Sequence, residues 1–525
     1  MKYIYSIIKA DYQQRTRSYS FLITLAITIY GAYSFVPPPT ASYTTLNMVG
    51  YKGIYNSAWV GYVSAMMTTI MLSLYGFFLV NSGIKKDIDT EVGLIIATTP
   101  ITNFGYLLSK MLSNFLVLLT IAGITFAVSI AMFFLRTSGS PFIIADFIIP
   151  YLLFALPALF FISALAVIAE VFLGKRSILQ YITFVFLFGI IMANVTAARN
   201  NTVAVFIDPF GVRIMTHSIT DKVNSQYHTD VKEVNLGFTF NAKHAFKTFE
   251  WNGITWTGIF LLSRFVWIFF ALGIVYFSSF FFHRFDFRQR VSKKKNSEVA
   301  VFNAGIVKAP PTNINPALLP PITADYSILP FIKTELLLLI RKGPKWFWFI
   351  NGGLWISMLI APLNIVHAYL LPILLFLQVT RWSELATKEK TNRLHYFTYS
   401  SYKPLQRMLP AQLLAGIVLA VVLTLPVLLR YLIALDFYAM INIINGAVLI
   451  VLLAVCLGIL SGGKKLYEIL FFMLTYCFIE KVPVADYLGG MAHDSHSGFI
   501  IIVLTLNIFF AVVSFTVRSY QVRHL

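Results

Sequence analysis

Long apolar stretches alternate with short polar ones along almost the whole chain. Most of them reach or exceed the roughly 18 residues that a membrane-spanning helix needs. A backbone in lipid must satisfy its own hydrogen bonds, so stretches of this length predict helices rather than barrel strands, whose signal is short and alternating. Twelve spans are predicted, at about 20–37, 58–82, 104–135, 141–172, 178–198, 255–283, 346–361, 364–380, 405–431, 435–461, 466–480 and 497–517.

The second half of the chain repeats the first. Asp89-x4-Leu94-x3-Thr98 recurs as Glu389-x4-Leu394-x3-Thr398, each after the second span of its half, and Gly174-Lys175-Arg176 recurs as Gly463-Lys464-Lys465. Such repeats are typical of transporters whose halves move around a shared path. We therefore predict an all-α polytopic membrane protein of two tandem six-helix bundles. Its parts are 1–283, a basic, proline-rich cytoplasmic linker at 284–325, and 326–525.

Each half opens with a short amphipathic stretch. In the first half Ile4, Ile8 and Tyr12 share one helical face, a pattern that predicts a helix lying in the membrane interface. The second half has a similar stretch, although ordinary juxtamembrane anchoring would give the same pattern. The matched polar positions are Lys9, Asp11 and Arg17 in the first stretch and Lys333, Glu335 and Arg341 in the second.

The formal charge of +19 is distributed in the way expected for loops between membrane spans and does not indicate a nucleic-acid-binding surface. Mean hydropathy is +0.75, and only 12% of the residues are charged. With the N-terminus in the cytoplasm, 30 of the 41 Lys and Arg residues fall on inside segments. This is the positive-inside rule, and it predicts that both termini are cytoplasmic. Basic loops also favour contact with membrane lipids, and we expect no nucleic-acid partner.

The longest outside segment, 199–254, combines a turn with a predicted strand. Asp208-Pro209-Phe210-Gly211 is a turn signal, and the alternation over 234–240 predicts a strand. Asp486-Tyr487-Leu488-Gly489 is the matching stretch of the second half. This segment is a candidate contact for a periplasmic or additional membrane partner.

No motif indicates catalysis, a metal site or a bound cofactor in this chain. Gly174-Lys175-Arg176-Ser177 lacks the glycine and the hydroxyl residue that a phosphate-binding loop needs at fixed positions. His493-Asp494-Ser495-His496 lacks further predicted ligands. The charged residues Arg264 and Glu170 lie within spans, where charge is costly, so each is interpreted as part of a pathway or of a structural pair.

The strongest functional signal is the pair of cytoplasmic loops that follow the second span of each half. Each loop mixes charges with a few apolar residues before a long span begins, a composition that suits a short helix docking into a groove of a soluble partner. A plain connecting loop is the alternative. The residues proposed for docking are Asp89, Glu91, Gly93, Leu94, Thr98 and Pro100 in the first loop and Glu389, Thr391, Leu394 and Thr398 in the second.

With these features, the chain resembles the membrane subunit of a type 2 ABC exporter. Members of that family have an interfacial elbow helix before six spans. Their loop between spans two and three contains acidic residues, a small residue, Leu and then Pro. The residues that fit that loop are Asp89, Glu91, Gly93, Leu94 and Pro100. In the second half Asn392 and Arg393 replace Val92 and Gly93, and Ser400 replaces the proline. The resemblance implies a bacterial cytoplasmic membrane, two copies of a separate ATPase subunit that bind ATP and Mg, and alternating access between the halves.

A second resemblance points to one subgroup of this family. Asp208-Pro209-Phe210-Gly211, Ser263-Arg264-Phe265-Val266-Trp267 and Arg284-Phe285 are similar to twelve-span bacterial permeases that are associated with aminopeptidases. This chain has no peptidase signature and no nucleotide site, so it is not expected to be an enzyme by itself. Two other interpretations stay open, namely an ion-coupled secondary transporter and a membrane scaffold of a secretion or peptidase complex.

Overall fold

The computed structural model describes residues 2–282 and 327–524, except 39–40, 42, 49, 138, 175–176, 198–201, 230–233, 241–246, 393, 480–484 and 491–495. The described chain is mostly helical, and seven of its helices are long and apolar enough to cross a membrane. These observations agree with a polytopic membrane protein. The seven are α3 continued by α4, α6, α7 and α8 with the wide turn between them, α12, α20, α21 and α23, whose bounds follow.

Helices dominate the part of the chain before the linker. Its helices are α1 (Lys2–Thr16), α2 (Tyr19–Ser34), α3 (Ser57–Val80), α4 (Gly83–Asp89), α5 (Val92–Ala97), α6 (Asn103–Arg136), α7 (Ala145–Pro150), α8 (Leu156–Leu173), α9 (Ser177–Ala197), α10 (Thr202–Ile207), α11 (Val212–Tyr227) and α12 (Gly258–Phe281). Its strands are β1 (Tyr43–Asn47), β2 (Tyr51–Gly53), β3 (Asn235–Phe240) and β4 (Lys247–Phe249).

The described part after the linker is formed by helices and connecting turns. They are α13 (Leu329–Arg341), α14 (Trp346–Ile360), α15 (Leu363–Ile365), α16 (Leu371–Leu377), α17 (Val379–Trp382), α18 (Lys388–Thr391), α19 (His395–Tyr399), α20 (Pro404–Ile433), α21 (Phe437–Ser461), α22 (Lys465–Ile479) and α23 (His496–Arg523). A helix therefore occupies each predicted apolar stretch, and α1 and α13 occupy the two amphipathic stretches.

Several long helices begin at polar caps that the sequence supplies. The side chains of Asn56, Thr102 and Asp436 accept hydrogen bonds from backbone N–H groups three residues later, at the starts of α3, α6 and α21. Two wide π-type turns interrupt the helical register, one over Tyr151–Ala155 directly after Pro150 and one over Val366–Leu370 shortly before Pro372. The stretch predicted as one span at 141–172 is thus α7, a wide turn and α8 in succession.

Two large hydrophobic clusters form the interior. The first draws its buried residues mainly from 21–282, and the second draws them from 339–503. Ile469 and Phe472 of α22 belong to the first cluster although they lie in the second half. Phe472 packs on Phe78 of α3, with 4.2 Å between ring centroids. The two halves therefore contact each other where α22 meets α3.

Two short sheets cover one end of the first half. β1 pairs antiparallel with β3, and β2 pairs parallel with β4. The strand predicted over 234–240 is confirmed as β3. Its partner β1 lies between α2 and α3, in a stretch where the sequence predicted no element, because the signal for a short two-stranded ribbon is weak without its partner. Asn56 fixes this end by donating to the Trp251 carbonyl at 2.9 Å.

Candidate functional site

The first of the two matched loops contains a compact turn and two short helices. Ser82, at φ 91°, interrupts the helix between α3 and α4, and Glu91, at φ 62°, separates α4 from α5. Both residues occupy the left-handed region that L side chains rarely adopt, so the turn needs support from its surroundings. Thr102 then caps α6 by accepting from the Gly105 N–H at 3.0 Å.

Glu170 of α8 supplies that support for the first turn. Its Oε1 accepts hydrogen bonds from the N–H groups of Ser82 and Gly83, at 2.7 and 2.8 Å, and its Oε2 accepts from Lys85 N–H at 2.9 Å. A carboxylate that accepts three backbone N–H groups fixes the local chain direction. Of the two interpretations offered for Glu170, the geometry favours the structural one.

A buried ion cluster ties the amphipathic helix α1 to this loop. The Nζ of Lys110 on α6 lies 2.7 Å from Oδ2 of Asp11 on α1 and 2.7 Å from Oδ2 of Asp87 on α4. Tyr106 also donates to Asp87 at 2.7 Å. Lys110 is only 2% exposed, so the two carboxylates share one cation away from water. The cluster therefore connects α4 with α1 and α6.

The second half has a corresponding contact. Glu335 of α13 pairs with Lys388 at the start of α18. Arg381 adds a second link, because its Nε donates to the Leu339 carbonyl at 3.0 Å and its Nη2 donates to the Lys342 carbonyl at 2.8 Å, at the end of α13. Asp11 and Glu335, which the sequence repeat matched, therefore make the same kind of contact. Each residue joins its amphipathic helix to the loop of its half through a lysine.

The other polar positions matched between the amphipathic helices face outward. Lys9, Arg17, Lys333 and Arg341 are all exposed. Arg15, which the sequence analysis did not select, reaches inward instead and donates to the Val80 carbonyl at 3.0 Å. Its neighbour Arg17 is the same type of residue but lies just beyond the last residue of α1, so only the structure separates the two.

The two acidic positions matched between the loops lie in different surroundings. Asp89 and Glu91 are exposed, whereas Glu389 is buried and accepts from Gln412 Nε2 at 2.6 Å. Burial raises the pKa of Glu389, even though Lys388 and Arg518 act in the opposite direction. Asp89 and Glu91 are therefore available to a partner, and Glu389 belongs to the support of the second loop.

Glu389→Gln should raise thermal stability at about pH 8 and leave it unchanged at about pH 4. A carboxyl whose folded-state pKa is raised costs stability as the pH rises from its unfolded to its folded pKa, and below both values the cost vanishes. Gln keeps the acceptor for Gln412. Melting curves of the detergent-solubilised protein at both pH values test this. A variant that is less stable at pH 8 would show that Lys388 and Arg518 outweigh burial.

Each loop exposes apolar side chains on a short helix. On α5 these are Val92, Leu94 and Ile95, and Ile95 is 69% exposed. On α19 and the residue before it they are Leu394, Tyr396 and Phe397, and Phe397 is 79% exposed. Gly93 is the buried residue within α5, and Pro100, which follows the helix, is exposed. The hydroxyls of Thr98, Thr391 and Thr398 donate to backbone carbonyls of their own turns.

A polar network joins the two halves beside these loops. Lys465 Nζ, at the start of α22, donates to the Asn81 carbonyl at 3.0 Å and to Tyr181 Oη at 2.9 Å. Glu468 accepts from Tyr181 at 3.0 Å and from Ser383 at 3.3 Å. Asn81 begins the first loop and Ser383 begins the second, so the network brings both loops to the same end of the molecule.

A second ion cluster lies beside the network. Glu384 pairs with Lys464 at 2.7 Å and with Lys342 at 2.6 Å, so it joins the turn before α22 to the end of α13. Burial alone would raise the pKa of Glu384, but the two lysines lower it below its ordinary value. Lys464 and Lys465 belong to the repeated Gly-Lys motif. Their counterparts at 175–176, and the linker 284–325, lie outside the described residues.

At the opposite end, the Asp208–Gly211 turn and Arg264 form one unit. Asp208 accepts from the N–H groups of Phe210, Gly211 and Arg213, at 2.8 to 3.0 Å. Arg264 donates to the carbonyls of Asp208 and Pro209. Gly211 has φ 78°, and an added Cβ would lie 2.4 Å from Phe154 Cδ1, so only glycine fits. Arg264 thus holds a turn together, which favours its structural interpretation.

Comparison of the chain with protein-family models, with curated proteins and with solved structures finds no match. The functional interpretation therefore depends on the arrangement of this chain's own residues. Within the described residues, that arrangement is a loop-bearing end with two amphipathic helices, two exposed apolar faces and a polar contact between the halves.

Proposed function

We propose that this chain is the membrane permease subunit of an ATP-driven exporter of the type 2 ABC class. In this proposal it crosses a bacterial cytoplasmic membrane twelve times as two six-helix bundles, with both termini in the cytoplasm. Two copies of a separate ATPase subunit, which bind ATP and Mg, dock below the loops. The pathway for substrate lies between the halves.

The observation that carries the proposal is the matched construction of the loop-bearing end. In each half an acidic residue of the amphipathic helix pairs with a lysine that holds the loop, Asp11 with Lys110 and Glu335 with Lys388. In each half the same loop exposes apolar side chains on a short helix, around Ile95 and Phe397. Exposed apolar helices next to partly buried ion pairs suit docking into a groove of a soluble partner.

The ion pairs supply a route for mechanical coupling. A partner that moves when it binds ATP shifts the equilibrium of the membrane helices only if its contacts differ between two states. Force on α5 passes to α4, and from Asp87 through Lys110 to α1 and α6. Because Lys465 and Tyr181 join the halves at the same end, this network is where the halves would separate when the pathway opens inward.

Isolation of the tagged chain from its native membranes tests the proposal. We expect two ATPase subunits per chain in the purified complex, measured by native mass spectrometry, and ATP hydrolysis that requires Mg. Substrate turnover by the chain alone in proteoliposomes would contradict the proposal and would favour the secondary transporter. A stable complex without ATP hydrolysis would favour the scaffold.

Membrane topology gives an independent prediction. In a variant with Cys456 and Cys477 replaced by serine, new cysteines at the exposed positions Asp89 and Lys390 should resist a membrane-impermeant maleimide in intact spheroplasts and react in inverted vesicles. A cysteine at Lys222, exposed on α11, should show the opposite pattern. If the cysteines that replace Asp89 and Lys390 react from opposite sides of the membrane, the proposed architecture is excluded.

A further inference from the structure

The last helix of the chain, α23, ends against the second loop. Arg518 of α23 is 6% exposed, and its Nη2 donates to the Ala386 carbonyl at 2.6 Å. Its guanidinium group also lies over the ring of Tyr399, 5.4 Å from the centroid. Ala386 precedes α18 and Tyr399 is the last residue of α19, so one buried cation contacts the loop on both sides of its two short helices. A hydrogen bond from a charged donor is stronger than one from a neutral donor.

Helix α23 is itself joined to α21 by polar contacts. In the middle of α23, Asn507 Nδ2 donates to Asn445 Oδ1 at 2.6 Å. In its last turn, Gln521 Nε2 donates to the Ile459 carbonyl at 3.0 Å. Hydrogen bonds of this kind hold neighbouring helices together in an apolar surrounding. Arg518 therefore connects the second loop with a pair of joined helices rather than with a single one.

The first loop is attached to a different helix of its half. Glu170 of α8 accepts three backbone N–H groups of the turn that begins the first loop. Glu170 lies four residues before the repeated Gly-Lys motif, and the residue at the same distance from the motif in the second half is Ile459. Ile459 has no polar side chain, and its carbonyl accepts from Gln521 of α23. The support that α8 gives to the first loop is thus given to the second loop by α23.

We propose that α23 carries the movement of the second loop into the membrane, with Arg518 as the positioning residue, whereas α8 carries the movement of the first loop. This inference rests on the proposed function, because it assigns the route of coupling in each half. A partner acts on the membrane helices only through contacts that differ between two states. Equal movements of the two ATPase subunits would then reach the fourth span of the first half and the sixth span of the second. The halves therefore respond unequally, although their loops repeat.

Hydrogen exchange of the purified full-length chain in detergent, measured by mass spectrometry without the ATPase, tests the two attachments. Arg518→Met should speed exchange in peptides of the second loop by about tenfold or more and leave the first loop unchanged, because a bond from a charged donor is lost. Glu170→Gln should have the reverse effect. Arg518→Lys keeps a cationic donor and should retain the protection. Arg523→Met is the matched control, because it removes a charge from an exposed position of α23. If Arg518→Met changes both loops equally or changes neither, the attachment is wrongly assigned.

Distances between spin labels follow the movement itself in the complex with the ATPase. In the variant without native cysteines, labels are placed in pairs at the exposed positions Asp89, Lys390 and Arg523. On addition of ATP and Mg, the distance between positions 89 and 390, one in each loop, should change, and the distance between positions 390 and 523 should stay constant. In Arg518→Met the second distance should change as well. Transport per ATP hydrolysed should then fall, and it should be unchanged in Arg518→Lys and Arg523→Met.

The outcomes separate this inference from the proposed function. If ATP changes the distance from position 390 to position 523 as much as the distance between the loops, α23 does not carry the second loop, although the loops still respond to ATP. Transport per ATP at the wild-type level in Arg518→Met would show that the contact is structural alone. If ATP changes neither distance, the proposed function fails, and this inference fails with it.

Discussion

Replacing Leu94 and Ile95 with aspartate should release the ATPase from the first loop. Both side chains are exposed on α5, so the change adds charge to a docking face without disturbing the interior. Burying an aliphatic side chain in a groove contributes about 1.5–3 kcal/mol, so the loss of two reduces affinity by about a hundredfold or more. Co-purification of the ATPase and the rate of ATP hydrolysis both measure the effect.

The same change on the second loop is Tyr396→Asp with Phe397→Asp. We expect either pair alone to reduce ATPase recovery, and both pairs together to abolish it. Thr90→Asp is the control, because it adds a charge to an exposed position of the first loop and removes no apolar surface. If the combined variant inserts normally and retains full ATPase recovery, the two apolar faces do not dock the partner.

Lys110→Ala should destabilise the protein strongly. Lys110 Nζ is the shared cation of Asp11 and Asp87, and its removal leaves the buried carboxylate of Asp87 and the partly buried carboxylate of Asp11 without their cation. Breaking a buried pair in this way costs about 3–5 kcal/mol. The melting temperature of the solubilised protein should fall, and the link between α1 and the first loop should be lost. Thermal melting monitored by tryptophan fluorescence measures the first effect.

Two comparisons distinguish a broken ion cluster from general damage to α6. Lys110→Met combined with Asp11→Asn and Asp87→Asn removes all three charges and should recover much of the lost stability. Glu384→Gln should cost at most about 1 kcal/mol, because that pair is about one-third exposed. If the triple variant melts as low as Lys110→Ala, packing rather than charge pairing explains the loss.

A combined stability and activity measurement separates the two roles of the cluster. We expect the triple variant to keep its fold, although it lacks the ionic contact between Asp11 and Lys110. ATP hydrolysis by the complex should continue, while transport driven by it should fall. Transport at the wild-type rate would indicate that the coupling passes through other contacts, such as those of Glu170 with the first turn.

The sequence predicted the local elements well and their pairing poorly. Hydrophobic length places the helices, because a long apolar stretch has few alternatives to a helix in lipid. The repeat matched Asp11 with Glu335, and the structure gives both residues the same kind of partner. The same repeat also matched Asp89 with Glu389, yet one is exposed and the other is buried. Equal spacing fixes position along the chain but not the direction in which a side chain points.

The remaining contacts depend on residues far apart in sequence. Lys110, Asp87 and Tyr181 carried no local signal that distinguished them from other polar residues, and the repeat that marked Lys465 gave no indication of its partners. Arg264 and the Asp208 turn were each noticed separately, but their hydrogen bonds could not be predicted, because they join residues 56 positions apart. Such contacts are decided by the packing of α12 against the turn.

By itself, the sequence determined that this protein is mostly helical and suited to a membrane, that its halves repeat, and where its amphipathic helices and loops begin. These properties follow from the free energy of placing each short segment in lipid or water, which is local. Only the tertiary structure decided which charged groups share a partner, which loop residues stay exposed, and that Arg518 contacts the second loop. These properties depend on distances between helices, which no single segment contains.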